Sequence, residues 1–343
     1  MYYLVLAANP STNEMILVAS TENNEEFAMV WSGSSSGAVG SWGDGILLHS
    51  AASQDSHTDV NVIFEESSTH DGIVVFASAS ANLQYVVWQS GSKIWTGAGS
   101  IDPPTGVANC NINFTDIAAD PASANVLVGV TCGTYGWTIR LPDLDNKILH
   151  ATDLVGGNHL ALSVAYEKAS FLFNNPVAAQ ALVVFSRANL NNIYFRRLGF
   201  NGTVITNTTD FYGRPTDCPM TDPGGCEGPL LDKTPNTLRL SANTATKDIA
   251  LMVQDDGNDI YFVRFDGQFS VSKILEHSAH IYMLYWYEKS LALPARVIRA
   301  GCLDLLSHHT AQFSLSIICT LSCRFYAVST IVLTYSISLG ELF

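Results

Sequence analysis

At 343 residues the chain is long enough for one large β domain or two ordinary ones, and 47% hydrophobic content supports a substantial core. Charged residues make up only 14%, the formal net charge is −14, and ten acids, Glu14 to Asp71, precede Lys93, the first Lys or Arg. Such a region repels phosphate backbones and has no patch from which to release counterions, which argues against nucleic acid as a partner; an acidic face serves solubility and can attract Ca²⁺ or cationic ligands.

The N-terminal stretch MYYLVLAANPS lacks a basic segment and a small-residue cleavage site, so it reads as the opening strand of a sheet. Asp59–Ile101 then shows the organisation most clearly. Four short apolar segments, Val60–Phe64, Gly72–Ser78, Leu83–Trp88 and Ile94–Ser100, are rich in Val, Ile, Phe, Tyr and Trp and are separated by polar or Gly-bearing turns. This is the pattern of a four-stranded antiparallel meander. First strands of comparable units begin near Tyr2, Val60, Ile112, Leu162, Leu238 and Ile281. The spacing of about fifty residues is that of propeller blades. Second strands (Met15–Ser20, Gly72–Ser78, Asn125–Val130, Ala181–Ser186, Asp248–Val253) are nearly continuous apolar runs, as expected of strands buried on both faces. Third strands, such as IYFRRL at Ile193–Leu198 and IYFVRF at Ile260–Phe265, alternate more. Fourth strands are weakest: Gly45–His49, Ile94–Ser100, Ile148–Leu154, Val204–Thr208 and Phe269–Leu275.

A longer period lies over this one. Residues 5–10 (VLAANP) correspond to Asp116–Pro121 (DIAADP), and Asp59–Ser67 (DVNVIFEES) to Leu162–Ser170 (LSVAYEKAS), so two kinds of unit alternate. The pattern resembles a repeat family of secreted and cell-surface bacterial and archaeal proteins, which pairs A-A-D-P and V-A-Y-E type blades. Its members carry W-D-G-x-x-W between third and fourth strands, seen here in degraded form as WSGSSSGAVGSW (Trp31–Trp42) and WQSGSKIW (Trp88–Trp95). Arg264-Phe265-Asp266-Gly267 and Arg197–Gly202 occupy the same place without tryptophan. The resemblance spans roughly residues 1–280 and implies a fold, not an activity.

The stretch Asp210–Asn236 interrupts the period with Pro, Gly and Asp; it reads as a surface insertion between the fourth and fifth units and a candidate binding loop. Cys218 and Cys226 close a short loop within it, and Cys110 and Cys132 flank neighbouring strands, so two disulfides are expected and zinc is not. The sequons at Asn113, Asn201 and Asn207, with these cysteines, point to an extracellular or cell-surface glycoprotein. From Ile281 the sequence IYMLYWYEKS starts a sixth unit, after which composition shifts: residues 281–343 contain no Asn and three of the seven Cys. An incomplete sixth blade with an improvised β segment, a membrane anchor over Phe313–Leu339 opposed by Arg324, and a frame-shifted end are the competing readings, with a short helix expected near Ala300–Ser307.

No phosphate-binding loop or nucleophile elbow is present. Glu65-Glu66 and Glu167 are the candidate carboxylates for a glycosidase, but their equivalent places make them repeat features. The turn Asp255-Asp256-Gly257-Asn258-Asp259 is a weak candidate Ca²⁺ site, of a composition that a hairpin turn also requires. The expectation is therefore an all-β propeller of about six four-stranded antiparallel blades (1–58, 59–110, 111–160, 161–236, 237–280, then an atypical or incomplete 281–343). Its expected role is a non-catalytic binding or surface-structural module for a glycan or protein ligand, the alternative being a propeller glycoside hydrolase. No cofactor other than Ca²⁺ is implied, and membrane association follows only if the tail is an anchor.

Overall fold

Five sheets follow one another along the chain, and each is an antiparallel meander of four strands. The computed structural model describes residues 3–275, apart from 22–24, 34–39, 50–58, 78–81, 108–109, 145, 157–158, 168–170, 173–174, 177–179, 200–225, 244–247 and 266–268, together with 314–320 and 330–336. Sheet 1 comprises β1 (Tyr3–Ala8), β2 (Glu14–Ser20), β3 (Glu26–Ser32) and β4 (Ser41–His49). Sheet 2 comprises β5 (Asn61–Phe64), β6 (Gly72–Ala77), β7 (Leu83–Gln89) and β8 (Ile94–Ile101). Sheet 3 comprises β9 (Ile112–Ala119), β10 (Val126–Cys132), β11 (Tyr135–Leu141) and β12 (Lys147–Ala151). In sheet 4, β13 (Leu162–Tyr166) is followed by a small hairpin of β14 (Phe171–Leu172) and β15 (Asn175–Pro176), then by β16 (Ala181–Ser186), β17 (Asn192–Leu198) and β18 (Cys226–Leu230). Sheet 5 comprises β19 (Pro235–Ala242), β20 (Ile249–Asp255), β21 (Ile260–Phe265) and β22 (Phe269–Leu275). Every regular element among the described residues is a strand.

The sheets stack through their faces. First strands lie side by side in the order β1, β5, β9, β13, β19. Four buried apolar clusters fill the four seams between consecutive sheets. In the first, Val5, Ile16, Val18 and Val30 of sheet 1 meet Val62, Phe64, Val74 and Trp88 of sheet 2. Successive side chains of a strand point to opposite faces. A sheet packed on both sides must therefore be apolar at every position, as in β6 (GIVVFA) and β16 (ALVVFS), where all residues are buried. Where two sheets approach most closely a side chain does not fit: a Cβ on Gly129 would lie 2.5 Å from Leu162 Cδ2. A succession of four-stranded meanders with adjoining inner strands is a β-propeller.

Three expectations need correction. The strand on the outer side of β17 is Cys226–Leu230, not Val204–Thr208, which lies outside the described residues. The Pro/Gly-rich stretch is thus not a spacer between units; its C-terminal part supplies the edge strand of sheet 4 and the start of β19. Pro229 is tolerated there because an outermost strand has one row of unpaired backbone groups. The correspondence between units also shifts by one residue. Glu65 N donates to Asp71 O and Glu167 N to Gln180 O, closing the same turn, so Val60 matches Leu162 and Asn61 matches Ser163. Finally, the fourth strand of sheet 3 stops at Ala151, and Leu154 makes an isolated bridge with Arg187.

The five sheets belong to one compact unit, Met1–Pro294; a second unit, Ala295–Phe343, contains an antiparallel hairpin of β23 (Ser314–Thr320) and β24 (Thr330–Ser336). Among the described residues no helix is long and apolar enough to cross a membrane. The sixth unit's opening at Ile281 and the expected helix near Ala300–Ser307 lie outside the described residues.

Candidate functional site

The inner strands place buried polar side chains where the sheets converge. Asp116 of β9, 2% exposed, accepts hydrogen bonds at Oδ2 from Ser163 Oγ and, at 2.9 Å, from Val164 N of β13. Its Oδ1 accepts from Arg239 Nη1 of β19 at 3.2 Å, and Ser163 Oγ accepts from Leu240 N at 2.9 Å. One carboxylate thus ties three sheets together. On the other side Asn61 of β5 donates to Thr115 O of β9 at 3.1 Å. This group is consumed by the scaffold and offers no substrate a free acid.

Of the candidate carboxylates for hydrolysis, Glu65 is occupied in the same way. Buried Glu65 accepts at Oε1 from Ser67 Oγ (2.6 Å), Thr69 Oγ1 and Asp71 N (3.3 Å), holding the turn between β5 and β6. Buried Glu167 closes the equivalent turn of sheet 4, while Glu66 is exposed. In sheets 1 and 3 the same turn is held by Asn9, accepting from Ser11 N and Thr12 N, and by Asp120, accepting from Ala122 N and Ser123 Oγ. Asn243 N, donating to Asp248 O, repeats the closure in sheet 5. The A-A-D-P and V-A-Y-E signatures are therefore two ways of satisfying one turn.

A closer pair of acids was not legible from spacing. Glu26 begins β3 and is fully buried, and its carboxyl faces that of Asp59, 3% exposed, just before β5. Burial first, then the charge of Asp59, pushes Glu26 up to about 9. Such a pair, shielded from solvent, joins sheets and does not meet a sugar. His150, also buried, sits 2.8 Å from Thr138 Oγ1; burial, then Arg196, depresses it to about 3.

The acidic turn of sheet 5 is tightly hydrogen-bonded. Asp255 Oδ1 accepts from Gly257 N and Asp259 N, each at 2.9 Å, and Oδ2 accepts from Tyr261 OH. Asp256 Oδ1 accepts from Asn236 Nδ2, Asn258 Oδ1 from Gln254 Nε2, and Asn258 adopts φ +62°. Among the described residues no three His, Cys, Asp or Glu side chains are grouped to hold a metal ion. A disulfide joins Cys110 to Cys132, their Cα atoms 5.5 Å apart. Cys226 is disulfide-bonded, while Cys218, Asn201 and Asn207 lie outside the described residues. Asn113, in β9, accepts from Gly133 N at 3.1 Å.

The outer part of the seam between sheets 1 and 2 gathers a further group of aromatic and polar side chains. Trp88 and Trp95 are register partners across β7 and β8, with ring centroids 5.2 Å apart. Trp88 is fully buried; Trp95 is half-buried and, like Ile46 and Leu48 of β4, packs against the cluster in this seam. Its Nε1 donates to Asp44 O at 2.6 Å, across the seam, and Asp44 takes φ +46°. Toward the turns, Lys93 Nζ pairs with the buried Glu14 carboxylate, and Asn9 Nδ2 donates to Ser90 Oγ and His70 O, both at 3.1 Å. Aromatic and polar side chains thus lie side by side along this seam. Trp31 and Trp42, 5.5 Å apart, repeat the pair in sheet 1, where Trp42 is 42% exposed. In sequence these tryptophans were visible as repeat markers; their cross-strand pairing at sheet edges was the signal for a surface.

No protein-family model and no curated protein matches the sequence. Among solved structures, the BP39L lectin from Burkholderia pseudomallei is similar at 9% identity, covering 79% of this chain and 69% of that one, with a TM-score of 0.46. AofleA from Arthrobotrys oligospora is similar at 8% identity (79% and 71% covered, TM-score 0.45). The Aleuria aurantia lectin bound to Fucα1-6GlcNAc is similar at 14% identity (78% and 77% covered, TM-score 0.42). At these values the likenesses carry no argument about this chain's ligand.

Proposed function

We propose that this chain is a non-catalytic, extracytoplasmic binding propeller that takes carbohydrate at the outer seam between sheets 1 and 2. The observation that carries the reading is Trp95, half-buried at the mouth of that seam with its indole N–H fixed on Asp44 O. A fixed indole presents a rigid apolar face, to which the C–H face of a pyranose fits, while hydroxyls find the polar side chains of the seam. The Cys110–Cys132 disulfide supports an oxidising compartment. Hydrolysis is the weaker reading because Glu65, Glu167, Asp116 and Glu26 are buried and engaged in turns or seams. The test is a glycan array followed by calorimetric titration with the best-bound saccharide. Wild-type protein is expected to bind, and Trp95→Ala to lose at least about tenfold in affinity, as removal of a buried aromatic anchor does. Equal binding by the variant, no binding to any glycan, or release of sugar from an aryl glycoside would each overturn the proposal.

A further inference from the structure

Sheets 1, 3 and 5 share one turn type and sheets 2 and 4 the other, so A-type and B-type sheets alternate. Register places Leu17, Met29 and Trp31 of sheet 1 at the positions of Val128, Ile139 and Leu141 in sheet 3 and of Leu251, Val263 and Phe265 in sheet 5. In sheets 3 and 5 these six residues are at most 2% exposed, because the preceding B-type sheet covers them. In sheet 1 the three equivalents are half-buried, and Leu4 and Trp42 on this sheet are 49% and 42% exposed.

Sheet 5 shows the converse. Its far face exposes Met252 by 43% and Phe262 by 38%, whereas the equivalent Val18 and Ala28 of sheet 1, covered by sheet 2, are fully buried. Two apolar faces of this extent are costly in water, at about 25 cal/mol for each Å² left uncovered. Each has the composition of a face that elsewhere in this chain meets a B-type sheet. The B-type signature, an aromatic residue followed by Glu at the first turn, occurs at Phe64-Glu65 and Tyr166-Glu167. It recurs at Tyr287-Glu288, within IYMLYWYEKS.

We propose that the Leu17–Met29–Trp31 face of sheet 1 is a docking surface for the chain's own segment Ile281–Pro294, which supplies a B-type strand and turn between sheet 5 and sheet 1. The occupant is named by three independent features: a seat of the right type on sheet 1, a matching seat on sheet 5, and the B-type signature in the sequence that follows. The proposal does not depend on the ligand assigned above.

Hydrogen exchange on the full chain, read by mass spectrometry, tests it. Amides of Ile281–Glu288 are expected to exchange slowly in the wild-type monomer. Leu17→Asp is expected to speed them about tenfold or more while β9 and β10 keep their protection, as separate openings of a structure allow. Met252→Asp, on the other seat, should do the same and decides the matter if Leu17→Asp fails to fold. Wild-type exchange of Ile281–Glu288 at the rate of an unstructured peptide overturns the proposal, as does protection unchanged in a folded variant. A wild-type dimer that dissociates on Leu17→Asp also overturns it, since the occupant is then a second copy.

Discussion

Asp116→Ala is expected to be among the most destabilising single substitutions in the five sheets. The carboxylate is 2% exposed and accepts from Ser163 Oγ, Val164 N and Arg239 Nη1, whose side chain is 18% exposed. Removing one partner of a buried ion pair costs about 3–5 kcal/mol, because the other charge stays buried. The Val164 amide and the Ser163 hydroxyl also lose their acceptor, and Ser163 must still hold Leu240 N. The expected loss is therefore near the upper end, about 4–5 kcal/mol, a large share of the roughly 5–15 kcal/mol that keeps a typical domain folded. Asp248→Ala, which breaks the more exposed pair with Arg264 (side chains 28% and 51% exposed), should cost less than about 1 kcal/mol. Urea denaturation gives both values, and adding Arg239→Leu to Asp116→Ala completes a double-mutant cycle. The double variant should recover part of the loss, since no buried cation then remains. If Asp116→Ala costs no more than Asp248→Ala, or if the cycle shows no coupling, the inner-strand stitch does not hold the sheets together.

Glu26→Gln should alter how stability depends on pH. Folding raises the Glu26 carboxyl from 4.5 to about 9, so this group's stabilisation is complete below its unfolded value and is lost as pH rises through the folded one. The variant should lack that decline and gain on wild type between pH 5 and 9 in thermal melts; parallel curves would sink the reading of a raised Glu26 carboxyl. Replacing Cys110 and Cys132 by Ser opens a loop with a sequence separation of 22 residues, which chain entropy values at about 3 kcal/mol. Melting with and without reductant measures this, and a wild-type protein insensitive to reductant would contradict it.

The sheets were readable because a propeller interior demands apolar residues on both strand faces, and runs such as NVLVGV and ALVVFS have few other places to go. The repeat also made Glu65 readable as a turn acceptor and placed Glu167 at the equivalent turn, since a residue needed in two equivalent places is poor material for one active site. The edge of sheet 4 was not readable. CEGPL has neither β propensity nor alternation, and only pairing with Asn192–Phe195 makes it a strand. Nor could spacing reveal Glu26 with Asp59, or Asp116 with Arg239, which meet across seams from positions 33 and 123 residues apart.

Those cross-seam pairs bear on where a ligand can sit. The inner-strand position held by Asp116 in sheet 3 is held by Arg239 in sheet 5 and by Val5 in sheet 1. The repeats have thus diverged where the sheets converge, and the divergent charges satisfy one another. The outer seams have diverged differently. The cross-strand aromatic pair survives as Trp31/Trp42 and Trp88/Trp95 and as the register pair Phe265/Phe269, but in sheet 3 Leu141 stands at the first position. A ligand site spread evenly round the ring would need every seam to keep its aromatic wall. Recognition concentrated at the sheet 1–2 seam needs only Trp95 and its Asp44 anchor. Binding stoichiometry separates the two: Trp95→Ala should abolish a single site per chain, whereas a variant that keeps several sites of wild-type affinity would place recognition at the other seams.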